Sequence, residues 1–188
     1  FNVLNQEVVN RKEEEKQELV SLVKLMRRNL ELAEQLCVTL AEELDFVKTY
    51  IDLERRSLGA TFHPVIEIAG DVLPESVWLP SMMIQIPVEN SVKHALRGKE
   101  GKRNLWIAAD RREGGVCIRI TDNGGGYHPE SRNRGTGTGM KVIMQTIQIL
   151  NMKNQAAIDI SVHNVTLPSG ETGCEVTFLL PDKYDYRI

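Results

Sequence analysis

Proline and glycine are missing from the first 58 residues, which excludes the turn chemistry of a β-rich beginning and leaves a helical one. Cysteine is scarce. Cys37, Cys117 and Cys174 are odd in number, far apart and without a Cys-x-x-Cys pair, so neither a disulfide framework nor a zinc site is indicated. That usage fits a reducing, cytosolic setting. Positive charge is not in excess either. Lysine and arginine total 23 against 26 acidic residues, a net charge of −3, so nothing points to a nucleic-acid partner. No run approaches the ~18 apolar residues of a membrane span. No signal peptide and no internal repeat is visible. The 188 residues are enough for one substantial core, or a core with a helical appendage. Because the chain opens on Phe1 directly in helix-like sequence, it is expected to be a piece of a longer protein.

Leu19, Leu22, Val23, Met26 and Leu30 follow the i, i+3, i+4, i+7 spacing of an amphipathic helix. Ahead of it, Arg11–Glu18 reads as a solvated turn and first helical turn. A second helix is predicted from Thr39, whose hydroxyl with Glu42 makes a capping-box pattern, with Leu40, Leu44, Val47, Ile51 and Leu53 on its apolar side. From Gly59 strands and helices alternate. Pro64–Ala69 reads as a strand, and Leu105–Arg111 and Val116–Thr121 as a hairpin across Gly114–Gly115. A helix is expected over Met140–Leu150. Two last strands are expected at Ala157–His163 and Cys174–Leu180, joined by a Pro168–Gly170 turn. Strands with a few helices over one face make an α+β sandwich.

Three stretches carry chemistry. In the first, Ile84, Val88 and Val92 share one helix face, Gln85, Glu89 and Lys93 form the next row, and Asn90 and His94 follow. Pro80 suits the first turn of this helix. Pro87 within it removes a backbone donor, so the helix either starts a turn later or is kinked there. In the second, Asp122-Asn-Gly-Gly-Gly126 follows an alternating strand. It is either a polar turn or a carboxylate that accepts a hydrogen bond from a ligand amino group, with Gly124 and Gly126 allowing close approach. In the third, Gly135-Thr-Gly-Thr-Gly139 opens into a helix, and its backbone N–H groups suit phosphate or, equally, a hinge. It is neither a Walker A loop nor a Rossmann fingerprint. His63 and His163 read as surface or strand-end residues, His128 as a lid residue, and Trp78 and Trp106 as core or rim packing. No His, Cys or carboxylate cluster suggests a transition-metal site.

Taken in order, these stretches resemble the N box and two glycine boxes of the GHKL (Bergerat) ATP-binding fold. More closely, they resemble the LytS-type sensor histidine kinases, whose N box is matched by Pro80, Gln85, Val88, Glu89, Asn90 and His94. Leu40–Glu54 is similar to the Glu-Leu…Tyr…Glu helix that precedes the ATPase domain in that family. Phe1-Asn-Val-Leu-Asn5 resembles the end of its phosphoacceptor motif, so the histidine is expected three residues before Phe1. The resemblance implies a helical dimerisation segment over residues 1–58 and an ATP-binding catalytic domain over 59–188. It implies ATP and Mg²⁺ as cofactors, and transfer of the γ-phosphoryl to a histidine for relay to a response regulator. It also implies a homodimer, and the cytoplasmic position of a bacterial kinase with a membrane sensor upstream. By the same resemblance Asn90 would hold Mg²⁺, and Glu89 would be the polar or basic group near the γ-phosphate, with Lys93 and His94 near phosphate oxygens. Asp122 would read the adenine amino group, Gly124 and Gly126 would lie beside the base, and Gly135, Gly137 and Gly139 would close over the phosphates.

The chain departs from the family pattern at Gly139-Met-Lys-Val142, where Gly-Leu-x-Asn is usual, at Thr146-Ile147 in place of Arg-Leu, and at Gly173-Cys174 in place of Gly-Thr. Met140, Val142 and Cys174 motivate a second reading, a degenerate nucleotide-sensing or interaction module on the same fold, and a GHKL ATPase of another type is a third.

Overall fold

The computed structural model describes residues 2–128 and 138–187. Helix α1 runs unbroken over Asn2–Glu34. The expected turn at Arg11–Glu18 is therefore absent, because that run holds no helix breaker and is built from residues with good intrinsic helix propensity. Its apolar residues Leu19, Leu22, Val23 and Met26 are exposed. Helix α2 (Leu40–Leu58) starts at the expected capping box. The Thr39 Oγ1 accepts from Glu42 N at 3.3 Å, and Glu42 Oε2 accepts from Thr39 N at 2.9 Å. Glycine ends it, with Gly59 at φ +69.

A five-stranded sheet in the order β2-β4-β5-β7-β6 follows. Strand β2 (Phe62–Ile68) pairs parallel with β4 (Arg103–Arg112), and the other neighbours are antiparallel. Strands β4 and β5 (Gly115–Asp122) form the expected hairpin, and β6 (Asp159–Thr166) and β7 (Thr172–Pro181) the second one. Sequence reading placed β6 two residues early, since Asn151 receives Ile158 N and fixes the chain before the strand begins. Two three-residue strands escaped it: β1 (Cys37–Thr39) pairs antiparallel with β3 (Trp78–Pro80). Pro80 thus ends a strand instead of opening a helix. It needs no backbone donor in that place.

Helix α3 covers Gln85–Asn90 and continues through Ser91–Leu96 as a wider, π-type turn, closed by Arg97 N to Val92 O at 2.9 Å. Pro87 lies in its first turn, where the missing N–H costs nothing, so the later start is the alternative realised. Helix α4 spans Thr138–Asn151. One core lies between the sheet and the helices: Leu44, Val47 and Ile51 of α2, Val88 and Val92 of α3, and Ile143 and Ile147 of α4 meet Ile107, Ile118, Ile120 and Phe178. The C-terminal segment returns to α4, with Tyr184 Oη donating to Asn151 Oδ1 at 2.6 Å. No helix among the described residues is long and apolar enough to cross a membrane.

Candidate functional site

Burying a polar side chain costs free energy unless it is paired, so buried polar groups mark places where something other than packing was selected. Among the described residues Glu43, Gln85, Ser91, Thr121, Asp122 and Asn123 are buried. All but Thr121 gather where α3 meets the end of β5 or the helix α2 beside it.

The row predicted on α3 is real in contacts. Gln85 Nε2 donates to Glu89 Oε1 at 2.9 Å, and Lys93 Nζ donates to Glu89 Oε2 at 2.7 Å. Both carboxylate oxygens are held, and the ammonium offsets the charge. The apolar stripe behind them, Ile84, Val88 and Val92, is fully buried and seats the helix on the core. Asn90 follows Glu89, half-buried. Its carboxamide makes no hydrogen bond among the described residues. Lys93 and His94 are exposed at the wider turn. A π-type turn inside an α-helix is frequent at functional sites because it re-aims successive side chains.

Asp122 ends β5 with 3% of its surface exposed. Its Oδ2 accepts from Ser91 Oγ at 2.7 Å and its Oδ1 from Gly124 N at 2.9 Å. Burial pushes its carboxyl above the ordinary aspartate range. The Gly124 N–H, the Ser91 hydroxyl and the Cys174 backbone offset that rise in part. Ser91 was not singled out from sequence, yet it joins the acidic strand end to the polar helix. Cys174, at one of the departures from the family pattern, pairs with Asp122 across β5 and β7. Its thiol is pushed up to about 11, first by burial and then by the nearby Asp122 and Glu175 carboxylates, so it stays neutral.

The glycines have separate reasons. A Cβ on Gly124 would lie 2.3 Å from Ala95 Cβ and 2.8 Å from the Ala95 backbone, so this glycine lets β5 close on α3. Gly126, at φ +89, would meet Asn164 Oδ1 at 2.9 Å, and that same Asn164 clamps the chain onward by accepting from Tyr127 N. Gly139 lies against α3, where a Cβ would come 2.9 Å from Ile86 Cγ2. Gly135 and Gly137 lie outside the described residues. The structure therefore brings Glu89, Asn90, Asp122, Gly124 and Gly139 onto elements in direct contact.

Two further side chains build the rim. Asn123 ties the start of β4 to the β6–β7 turn. Its Oδ1 accepts from Asn104 N at 2.8 Å, and its Nδ2 donates to Lys102 O at 3.0 Å and to the Glu171 carboxylate. Glu171 also receives Lys99 Nζ at 2.9 Å, and Lys99 heads the contacts that hold its carboxyl down to about 2. His128 touches Gly125 O at 3.1 Å, and His163 pairs with Glu175 at 3.4 Å at the sheet edge. Sequence spacing could not pair Ser91 with Asp122 or Asn123 with Glu171, because each contact spans tens of residues.

The family model for the histidine kinase-, DNA gyrase B- and HSP90-like ATPases matches residues 80–184, which take in all of these groups except Glu43. The chain belongs to that family. A second model, described as histidine kinase, matches residues 1–62. The Sensor protein LytS of Bacillus subtilis is 29% identical over 87% of the chain, and the sensor histidine kinase BtsS of Escherichia coli 30% identical over 73%. The chain spans only 28% and 24% of their lengths. Among solved structures, the histidine kinase domain of the blue-light activated kinase of Erythrobacter litoralis superposes with a TM-score of 0.55 at 13% identity, covering 87% of this chain and 74% of that one. The catalytic domain of the histidine kinase ThkA superposes at 0.52 with 15% identity, covering 80% and 97%. These two share the fold.

Proposed function

We propose that the chain is the ATP-binding catalytic region of a two-component sensor histidine kinase and that Asp122 reads the adenine of its nucleotide. The observation that carries this is a buried carboxylate at the end of β5, bonded through Ser91 to the helix that bears Glu89 and Asn90. Adenine offers an amino donor to that carboxylate where guanine offers a carbonyl, which it repels. A charge-assisted bond of this kind contributes about 1.5–3 kcal/mol. Gly124 and Gly126 would lie beside the base, and Gly135, Gly137 and Gly139 would close over the phosphates.

Oxygen donors suit Mg²⁺, and the half-buried Asn90 carboxamide on the inner rows of α3 makes no hydrogen bond among the described residues. Asn90 would hold the ion, which supplies charge neutralisation of the triphosphate when bound. Glu89, fixed by Gln85 and Lys93, would orient the groups around the γ-phosphoryl, and Lys93 and His94 would meet its oxygens. The bond from the γ-phosphorus to the ADP oxygen breaks and a bond to a histidine ring nitrogen forms. The enzyme's part in such a transfer is positioning and charge stabilisation.

Residues 1–58 would form the dimerisation and phosphoacceptor segment of a homodimer, and 59–188 the catalytic domain. The phosphoryl group would pass on to a response regulator. The chain would be the cytoplasmic portion of a bacterial membrane sensor. A nucleotide-sensing module without catalysis is the second reading, favoured by Cys174 standing beside Asp122. Incubation with γ-labelled ATP, Mg²⁺ and a LytS-type helix bearing the acceptor histidine tests the difference. The kinase reading expects acid-labile label on that helix, lost in Asn90→Ala. Tight ATP binding with no label would favour the sensing module.

A further inference from the structure

Helix α3 brings no cap of its own. Its N-cap is Ile84, whose side chain cannot accept a hydrogen bond and makes none to the first N–H groups of the helix. The first N–H groups of a helix need acceptors, and a buried helix start without them is unstable. Here the acceptor comes from another helix. Glu43 of α2, with no exposed surface, accepts from Met82 N at 2.5 Å through Oε1, and from Ile84 N and Gln85 N at 3.1 Å each through Oε2. Met82 is the one non-glycine described residue with positive φ, at +68, a conformation a methionine adopts only when its surroundings impose it. Among the described residues, the Glu43 carboxylate is the side-chain cap at the buried start of α3.

The far end of the same helix is tied to the same face of α2. Arg97 Nη2 donates to Glu54 Oε2 at 2.6 Å. Glu43 and Glu54 are eleven residues apart, about three turns, so both project toward α3. Between them lies Tyr50, buried, its phenol kept neutral by desolvation and by the negative charges of Glu54 and Glu89. Asn90 stands five residues after Gln85, about 7–8 Å along the axis. Whatever fixes the start of α3 fixes Asn90 and Glu89 in register against Asp122.

We propose that Glu43 is a positioning residue for the nucleotide site, holding α3 from α2 so that Asn90 and Glu89 face the triphosphate. This rests on the nucleotide reading above. It assigns Glu43 no contact with nucleotide, and it separates two parts of the site: the phosphate wall on α3, which depends on Glu43, and Asp122 on β5, which has its own ties to Gly124 N and Ser91.

The test compares Mg-ATP and adenosine binding in the wild type, Glu43→Gln and Arg97→Ala, with melting temperatures recorded for each. Glu43→Gln is expected to weaken Mg-ATP by about tenfold or more, while adenosine, followed by chemical-shift titration, stays within about twofold. Equal loss for both ligands, or a lower melting temperature with Mg-ATP affinity unchanged, would make Glu43 a general stabiliser and overturn the proposal. Should Glu43→Gln fail to fold, Arg97→Ala at the exposed end decides. A loss of about threefold confined to Mg-ATP supports the proposal, and an unchanged affinity overturns it. A wild type that binds neither ligand overturns the nucleotide reading and this inference with it. A wild type that binds both while the variants match it overturns this inference alone.

Discussion

Asp122 is the buried carboxylate of the candidate site, and its burial has two opposite consequences. A carboxyl whose folded pKa is raised contributes its stability below the unfolded value, near 3.8, and that contribution is lost as pH rises through the folded pKa. At neutral pH the ionised group therefore costs the ligand-free fold something. Asp122→Asn keeps the shape and can still bond Ser91 and Gly124. It is expected to raise the melting temperature of the ligand-free chain at pH 7 while weakening ATP by about ten- to hundredfold. Scanning calorimetry with a parallel ATP titration reads both. The same raised pKa predicts that wild-type ATP affinity falls on acidification at a higher pH than an exposed aspartate would titrate. Affinity measured down a pH series checks this against an affinity that is flat until the ordinary aspartate range. Asn90 makes the second residue-level prediction. Asn90→Ala should abolish the Mg²⁺-dependent part of ATP binding with little change in stability, because its side chain is half-buried and holds no partner among the described residues. Unfolding of the variant would instead make Asn90 a core residue.

Among elements, the contact between the end of β5 and α3 is the tightest part of the site. Gly124→Ala would drive a methyl to 2.3 Å from Ala95, and overpacking of this kind costs about 1–3 kcal/mol. We expect that loss in denaturant unfolding, together with weaker ATP binding, and partial recovery in the double variant with Ala95→Gly. No recovery would mean the strain lies with the Ala95 backbone, which a Gly124 Cβ also meets at 2.8 Å. Elements also show what a sequence can and cannot reveal. The start of α2 was legible because the Thr39–Glu42 capping box is local. So were the polar and apolar rows of α3, whose spacing is fixed by helix geometry, and the β4–β5 hairpin around Gly114. The start of α3 was not legible. Pro80 imitates a helix N-terminus, and the true start depends on Glu43, some forty residues earlier. Ser91 and Asp122 were equally hidden from each other. Strands β1 and β3 carry no periodicity in three residues each. For the glycines the sequence indicated small residues near a ligand, whereas Gly124 and Gly139 are first required by the approach of α3.

At the scale of the whole molecule, α2 belongs to the same core as the sheet, while α1 leaves Leu19, Leu22, Val23 and Met26 exposed on one helix. If α1 serves the homodimer proposed above, Leu22→Lys with Met26→Lys should shift the chain toward monomer in sedimentation velocity and leave ATP affinity unchanged. A dimer that survives the pair, or a monomeric wild type, would remove α1 from that role. The order of three motifs gives the resemblance, the family model over residues 80–184 shows the membership, and the structure brings the three motifs together. The helix with Glu89 and Asn90, the strand ending in Asp122 and the helix opening at Gly139 are far apart in the chain but pack on one another. The junction is proposed to be an adenine-nucleotide site led by Asp122. Isothermal titration of the chain with Mg-ATP, Mg-GTP and, for Asp122→Asn, Mg-ATP again tests it most directly. Saturable ATP binding is expected, with GTP and the variant at least about tenfold weaker. Equal affinity for ATP and GTP, or a variant that binds ATP as the wild type does, would contradict it.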